Sequence, residues 1–244
     1  MRALLAFFTV LPVPASSLED AARKAYLLPL VGLLTGLPGA ALLLLAYTLP
    51  PGVSAALALP AVLLAAGLHH TDGVMDAGDA LMVRGSREMR LRALKDGRAG
   101  AGAVGALLVV YAPSFAALAT LTAESPARAA LALLSGEVAA RSAMLLLLLL
   151  GRPAEPGSSS AYFVGSLKRK GRRTAALVLA LVFPPLLALP LGSSALLAAF
   201  AAPTAATFAL PLARRAFGGI GGDVTGASGE LARATLLVAL SALV

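Results

Sequence analysis

The sequence predicts an all-α, polytopic integral membrane protein, a helical bundle of about seven transmembrane helices with its N-terminus in the cytoplasm. Three observations predict it. Hydrophobic residues make up 59% of the 244 and charged residues only 13%, where a soluble domain carries about 25% charge. So few charges cannot clothe a water-soluble body, and lipid must cover the remainder; mean hydropathy is +0.87. Long charge-free stretches alternate with short polar ones, and Lys and Arg crowd into only some of the polar ones.

The elements follow in order. Met1-Arg2, the apolar residues 3–13 and then Pro14-Ala15-Ser16-Ser17 have the form of a secretory signal. In a polytopic chain the first span does that work, so the segment is expected to remain. Residues 27–71 hold no Asp, Glu, Lys or Arg, and Leu49-Pro50-Pro51-Gly52 divides them into a hairpin, 27–49 and 53–70. Residues 72–98 are the first charge-rich segment. Residues 99–123 form a third span, 124–128 a connector, and 129–150 a fourth span ending in six consecutive leucines. A second polar segment runs over 151–173. Residues 174–191 and 194–212 make another hairpin around Pro190 and Gly192, and a third polar segment covers 214–233. The apolar tail from 234 is short. It crosses only if its helix begins near Gly226 and takes in Glu230 and Arg233, and on that basis it is counted as the seventh span.

Orientation follows from the short loops. Arg23 and Lys24 precede the first span, six Lys and Arg lie within 84–98, six more within 152–173, and Arg214 and Arg215 follow the sixth. The intervening connectors hold only Arg128. An even number of spans separates each basic segment from the next, so all fall on one side, the cytoplasmic one. The net charge of +8 then reads as positive-inside bias and not as a nucleic-acid footprint, although a basic face also attracts an anionic substrate. With no cysteine, disulfides, thiolate zinc sites and Cys nucleophiles are excluded. No GxxxxGK[ST] or HExxH motif occurs. The chain reads as one domain, 1–244, in contact with membrane lipid and with homo-oligomerisation left open.

The chemistry concentrates in His69-His70-Thr71-Asp72-Gly73-Val74-Met75-Asp76-Ala77-Gly78-Asp79. Asp72, Asp76 and Asp79 are spaced i, i+4, i+7 and share one helical face. Three carboxylates there repel one another, and burial near a membrane raises the cost; a cation cancels both penalties. Oxygen-only ligands suit Mg²⁺ or Mn²⁺. The alternative is a solvated acidic face. His69 and His70 read as hydrogen-bonded structural residues at a helix end, with metal ligation as the alternative. In Lys95-Asp96-Gly97-Arg98-Ala99-Gly100-Ala101-Gly102, glycines let a helix start close to a phosphate, and its N–H groups favour an anion. Lys95 and Arg98 add charge-assisted bonds, and Asp96 supplies a fourth acid. Glu137 and Arg141 sit i, i+4 inside the fourth span, as an ion pair or a substrate contact. Lys168 to Arg173 read as a lipid-surface patch and Ser158-Ser159-Ser160 as a plain loop. The glycine-rich run 218–226 carries Asp223, which is i, i+7 from Glu230, and reads as a phosphate cradle or a hinge.

These residues resemble those of the cobalamin synthase family, the adenosylcobinamide-GDP ribazoletransferases. Residues 70–79 are similar to its H-x-D-G-L-x-D-x-x-D-G signature, 95–100 to its K-D-S-R-x-G element and 218–227 to its G-G-x-T-G-D-x-x-G-A element. Leu5-Ala6-Phe7-Phe8-Thr9-Val10-Leu11-Pro12-Val13-Pro14 is similar to its FFTRLPVP segment, which weighs against a cleaved signal. Val74, Ala80, Gly97, Val10 and Gly221 depart from the pattern, and none removes a carboxylate. The resemblance implies an enzyme that joins adenosylcobinamide-GDP to α-ribazole, or to its 5′-phosphate, with release of GMP. It implies Mg²⁺ on Asp72, Asp76 and Asp79, and catalytic work by these and Asp96. Phosphate or substrate contacts would come from His70, Lys95, Arg98, Arg141 and Asp223. The cell membrane, with the active site on the cytoplasmic side, is the implied location. Two other readings stand beside it. A membrane CDP-alcohol phosphotransferase would carry Ala-Arg after its D-G-x-x, which this chain lacks. A cation-coupled transporter would hold its acids at the bilayer midplane.

Overall fold

The chain was analysed as a computed structural model that describes residues 1–14 and 16–243. Two short helices open it, α1 (Arg2–Phe8) and α2 (Leu18–Arg23). The Ser17 hydroxyl caps α2 by accepting from the Asp20 N–H at 3.1 Å. Then follow α3 (Leu28–Leu43), α4 (Pro51–Ala65), α5 (His69–Met82), α6 (Arg87–Ala93), α7 (Ala101–Glu124) and α8 (Pro126–Leu150). The C-terminal half holds α9 (Ser159–Leu167), α10 (Lys170–Ala188), α11 (Ser193–Ala205), α12 (Ala209–Phe217) and α13 (Gly222–Ser241). No β-strand occurs among the described residues.

Five helical stretches are long and apolar enough to cross a membrane: Ala25–Tyr47, Ala101–Glu124, Pro126–Leu150, Lys170–Leu191 and Ser193–Phe217. A sixth counts only if α4 and α5, bent by 92° at their junction, are taken as one. The expected seven spans are therefore five or six by this measure. The second expected span is where the difference arises. At 15 residues, α4 is about 22 Å long, against a hydrocarbon core of ~30 Å. Its axis turns away at Gly67 (φ 73°) and Leu68 (φ 60°), the left-handed region that costs a leucine strain. The expected seventh span is one continuous 20-residue helix, α13. Asp223, Glu230 and Arg233 leave it too polar to join the five.

Packing puts α8 in the middle. It is buried on every side from Val138 to Leu148, as a helix apolar all round must be. Against it lies α3, which approaches through Gly32 and Gly36: a Cβ at Gly36 would stand 3.0 Å from Leu134 Cδ2, so small residues set the helix separation. Val104, Leu108, Val109, Val178, Val182 and Leu197 point outward from α7, α10 and α11, the apolar periphery that lipid would cover. Buried side chains of α8 and α13 also carry Glu137, Arg141, Glu230 and Arg233, each at most 2% exposed.

The three polar segments meet at one end of the bundle. Ala154 N–H donates to the Ile220 carbonyl at 3.0 Å and Ile220 N–H to the Arg152 carbonyl at 2.8 Å. Lys95 Nζ lies 2.6 Å from Glu155 Oε1, and the Arg87 guanidinium packs on Gly218. Parts of the segments 72–98, 151–173 and 214–223 thus lie together as one polar cap.

Candidate active site

The stripe that α5 buries is His70, Gly73, Val74, Ala77 and Ala80. Asp72, Asp76 and Asp79 each stand one residue before Gly73, Ala77 and Ala80, so they line its edge. Two helices flank that edge. The start of α13 packs directly on α5: a Cβ at Gly73 would lie 2.8 Å from the Asp223 Cα, and one at Gly226 would lie 3.1 Å from His70 Cδ2. Only glycine permits this approach, and it carries Asp223 to the aspartates of α5. The start of α7 meets α5 through Gly78 and Gly102, where a Cβ at Gly102 would lie 2.7 Å from the Gly78 carbonyl oxygen.

Electrostatics record the crowding. With α5 outside the five spans, Asp76 is half-buried. Burial, followed by the charges of Asp72, Asp223 and Asp79, pushes its pKa up to about 6. Asp223 is raised as well, by burial and then by Asp72. Four carboxylates thus oppose one another at one place, the donor set that a hard divalent ion neutralises. Among the described residues, however, no three acidic or His side chains converge as they stand on a single metal position.

Asp79 explains part of this. Its carboxylate accepts from Gly100 N–H at 2.6 Å and Ala103 N–H at 2.9 Å, so it caps α7 from another helix. The anion expected at that helix start is therefore an internal one in this structure. Each Asp79 oxygen still keeps a lone pair beyond the amide bond it accepts.

The other expected residues divide. His70 is buried, its Nδ1 without a partner and its ring 6.2 Å from that of Phe8. It lines a cavity of about 310 Å³ together with Asp72, Asp223, Ser160 and Phe163. Lys95 and Asp223 line a second cavity of about 140 Å³ beside Gly221 and Gly222. Arg98 and Asp96 are bound to each other by two hydrogen bonds of 2.8 Å. The Arg98 guanidinium holds the Asp96 carboxyl below its usual range, which makes it a poor proton acceptor. Arg141 does not reach the site: it is 1% exposed and lies 3.4 Å from Glu137 Oε2 inside the bundle.

Sequence reasoning missed several lining residues. Phe7 and Phe8 come from α1, Phe163 from α9, and Ser159 and Ser160 from the start of α9. Ser158, read as plain loop, caps α9 by accepting from Ala161 N–H at 3.4 Å. Serine directly before an apolar run was the signal available. Nothing local signals that Phe7 and Phe163, 156 positions apart, pack as tilted rings with centroids 5.4 Å apart.

Comparison with known proteins supplies a family. The family described as Cobalamin-5-phosphate synthase matches residues 1–241. The adenosylcobinamide-GDP ribazoletransferase of Methanocella arvoryzae is 34% identical over 260 residues, covering 99% of this chain and 95% of that protein. The protein of the same name from Saccharolobus islandicus (strain L.S.2.15 / Lassen #1) is 39% identical over 121 residues, 49% of this chain and 48% of the relative. That from Sulfolobus acidocaldarius is 42% identical over 108 residues, 44% of this chain and 42% of the relative. Against these last two, the chain spans under half of the relative's length. No solved structure matches the chain.

Proposed function

The chain belongs to the cobalamin-5-phosphate synthase family, and on that premise we propose that it transfers the adenosylcobinamide phosphate of adenosylcobinamide-GDP to α-ribazole or its 5′-phosphate. A ribose hydroxyl of the acceptor attacks the phosphorus on the cobinamide side. One P–O bond forms, the P–O bond to GMP breaks, and the hydroxyl proton passes to a carboxylate. The products are adenosylcobalamin, or its 5′-phosphate, and GMP. This is a late step of cobalamin assembly.

The observation that carries the reading is the crowding of Asp72, Asp79 and Asp223 around Asp76, with Asp72 and Asp223 at the rim of a cavity of ligand size. Phosphoryl transfer demands positioning and charge neutralisation more than covalent chemistry; the carboxylates would supply neutralisation only by holding a cation, with Lys95 of the adjoining cavity adding its own charge. Asp223, raised by burial and then by Asp72 and outside the set proposed to hold an ion, is the better placed proton acceptor. Asp96 is held too acidic for that work. Lys95, paired with Glu155 at 2.6 Å, stands where donor phosphate oxygens can exchange for that partner.

Mg²⁺ suits this oxygen-only, self-repelling donor set by charge and ligand chemistry, although the side chains would have to turn to converge on it. Asp72, Asp76 and Asp79 would hold it, and when bound it supplies positive charge to the pyrophosphate and the leaving GMP. The protein is proposed to sit in the cell membrane as a multi-pass protein, in contact with lipid, with the polar cap on the cytoplasmic side where the basic segments gather.

The test is GMP release from membranes carrying the full chain, with adenosylcobinamide-GDP and α-ribazole, with and without Mg²⁺. GMP should appear only when both substrates and the ion are present. Release without acceptor would make the chain a hydrolase, and no release under any condition would remove the transferase reading.

A further inference from the structure

We propose that the aromatic cavity bounded by α1, α5, α9 and α13 seats the acceptor, a nucleoside with a flat, bicyclic, apolar base, and that the donor approaches from the other side of Asp223. The proposal rests on the transferase reading above and assigns one of its two substrates to a place.

Size and walls favour this occupant. The cavity is about 310 Å³, at the lower end of the ~300–1,000 Å³ of small-ligand pockets. It is roomy enough for a nucleoside and far too small for a corrinoid ring. Its walls are rings: Phe163 lies with its centroid 5.4 Å from that of Phe7 and 5.6 Å from that of Phe8. Tilted rings at such distances offer faces and edges to a flat guest. Asp72, Asp223 and Ser160 also line the cavity, hydrogen-bonding groups suited to sugar hydroxyls. No described Lys or Arg lines it, so nothing there draws a pyrophosphate.

The cation lies across a shared wall. Ser160, Gly222 and Asp223 border both this cavity and the second one, which holds Lys95 and the glycines 221 and 222. An acceptor with its base among the phenylalanines would turn its ribose toward Asp223. A phosphate entering past Lys95 would meet that ribose at the same residue.

The experiment uses the detergent-solubilised full chain with both substrates varied. Phe163→Leu and Phe7→Leu remove a ring and keep the site apolar. Each should raise KM for α-ribazole roughly ten-fold or more, the order that base–aromatic stacking carries. KM for adenosylcobinamide-GDP should stay unchanged. An acceptor with a single-ring imidazole base should lose a similar factor on the parent protein and much less on the variants. Phe7 is 39% exposed at the rim, so its variant keeps the test open even if the buried Phe163 variant fails to fold. A rise in the donor KM with an unchanged acceptor KM would assign the cavity to the donor and overturn the proposal, as would no change in either. If the parent protein releases no GMP from the pair, the transferase reading has failed and takes this assignment with it.

Discussion

Asp72 and Asp79 stand seven residues apart on the same edge of α5, and their surroundings give them different work. Asp79 accepts two amides at the start of α7, whereas Asp72 is exposed at the cavity rim. Both Asp72→Asn and Asp79→Asn should lower GMP release on the order of a hundred-fold or more. Only Asp79→Asn should also lower the melting temperature in detergent, because an amide accepts through one oxygen only and leaves the Gly100 or the Ala103 N–H without its partner, at a cost of ~1 kcal/mol. Equal melting temperatures would mean that the cap carries no stability. Asp76 adds a pH signature. Its pKa near 6 means that the fold binds this proton more tightly than the unfolded chain does. Stability from this group is therefore greatest below the ordinary carboxylate pKa, falls as pH rises toward about 6 and is level above it. Mg²⁺ competes with the same proton, so its affinity should rise from about pH 5 to about pH 7, by up to ~10-fold per unit, with proton release on binding. Calorimetric titrations in buffers of different ionisation heat measure both. An affinity independent of pH would take the ion away from Asp76.

The 92° turn between α4 and α5 is the element on which the site depends. It redirects the chain so that α5 lies between the starts of α7 and α13 instead of continuing the axis of α4. Gly73 then sets the distance. A methyl group there would meet the Asp223 backbone at 2.8 Å, and backbone cannot rotate away. Gly73→Ala should force α5 and α13 apart, cost about 1–3 kcal/mol as overpacking does, and reduce GMP release by more than the loss of folded protein explains. Rates normalised to the folded fraction from a melting curve would check it; a normalised rate equal to the parent's would mean that Asp223 need not touch α5. Most helices were legible in advance, because charge-free runs of membrane length bounded by Pro and Gly have few alternatives. The turn was not. Residues 53–68 carry no charge and, apart from Ser54, no polar side chain, so their composition does not distinguish a straight span from a 15-residue helix that ends at a left-handed Gly67-Leu68 pair. The aspartate register was legible from its spacing. The commitment of Asp79 to α7 depends on a helix 21 residues further along and could not be read from it.

Across the whole molecule, buried ions join the helices that carry the site. Arg233 of α13 donates to Glu137 Oε1 of α8 at 2.7 Å and pairs with Glu230 on its own helix. Thr35 of α3 donates to Glu137 Oε2 at 2.9 Å. Tyr111 of α7 lies 3.1 Å from Glu230 Oε2 and 3.0 Å from Thr71 Oγ1 of α5. Five helices thus meet on two acids and two arginines. The spacing of Glu137 and Arg141 pointed to a pair, yet the shorter bond is to Arg233, 96 positions away, because the helix crossing brings that side chain in. Removing the Glu137 charge leaves both buried arginines short of a partner. Truncating one member of such a buried set typically costs 3–5 kcal/mol. Glu137→Gln should therefore lower the melting temperature of the detergent-solubilised protein sharply. Glu137→Gln with Arg141→Met should recover part of the loss, since Arg141 Nε and Nη1 have no partner even in the parent. Non-additivity in that double-mutant cycle measures the coupling. Both variants keep the four aspartates, so activity per folded molecule should survive better than stability. A loss of activity at unchanged melting temperature would instead make this network part of the chemistry.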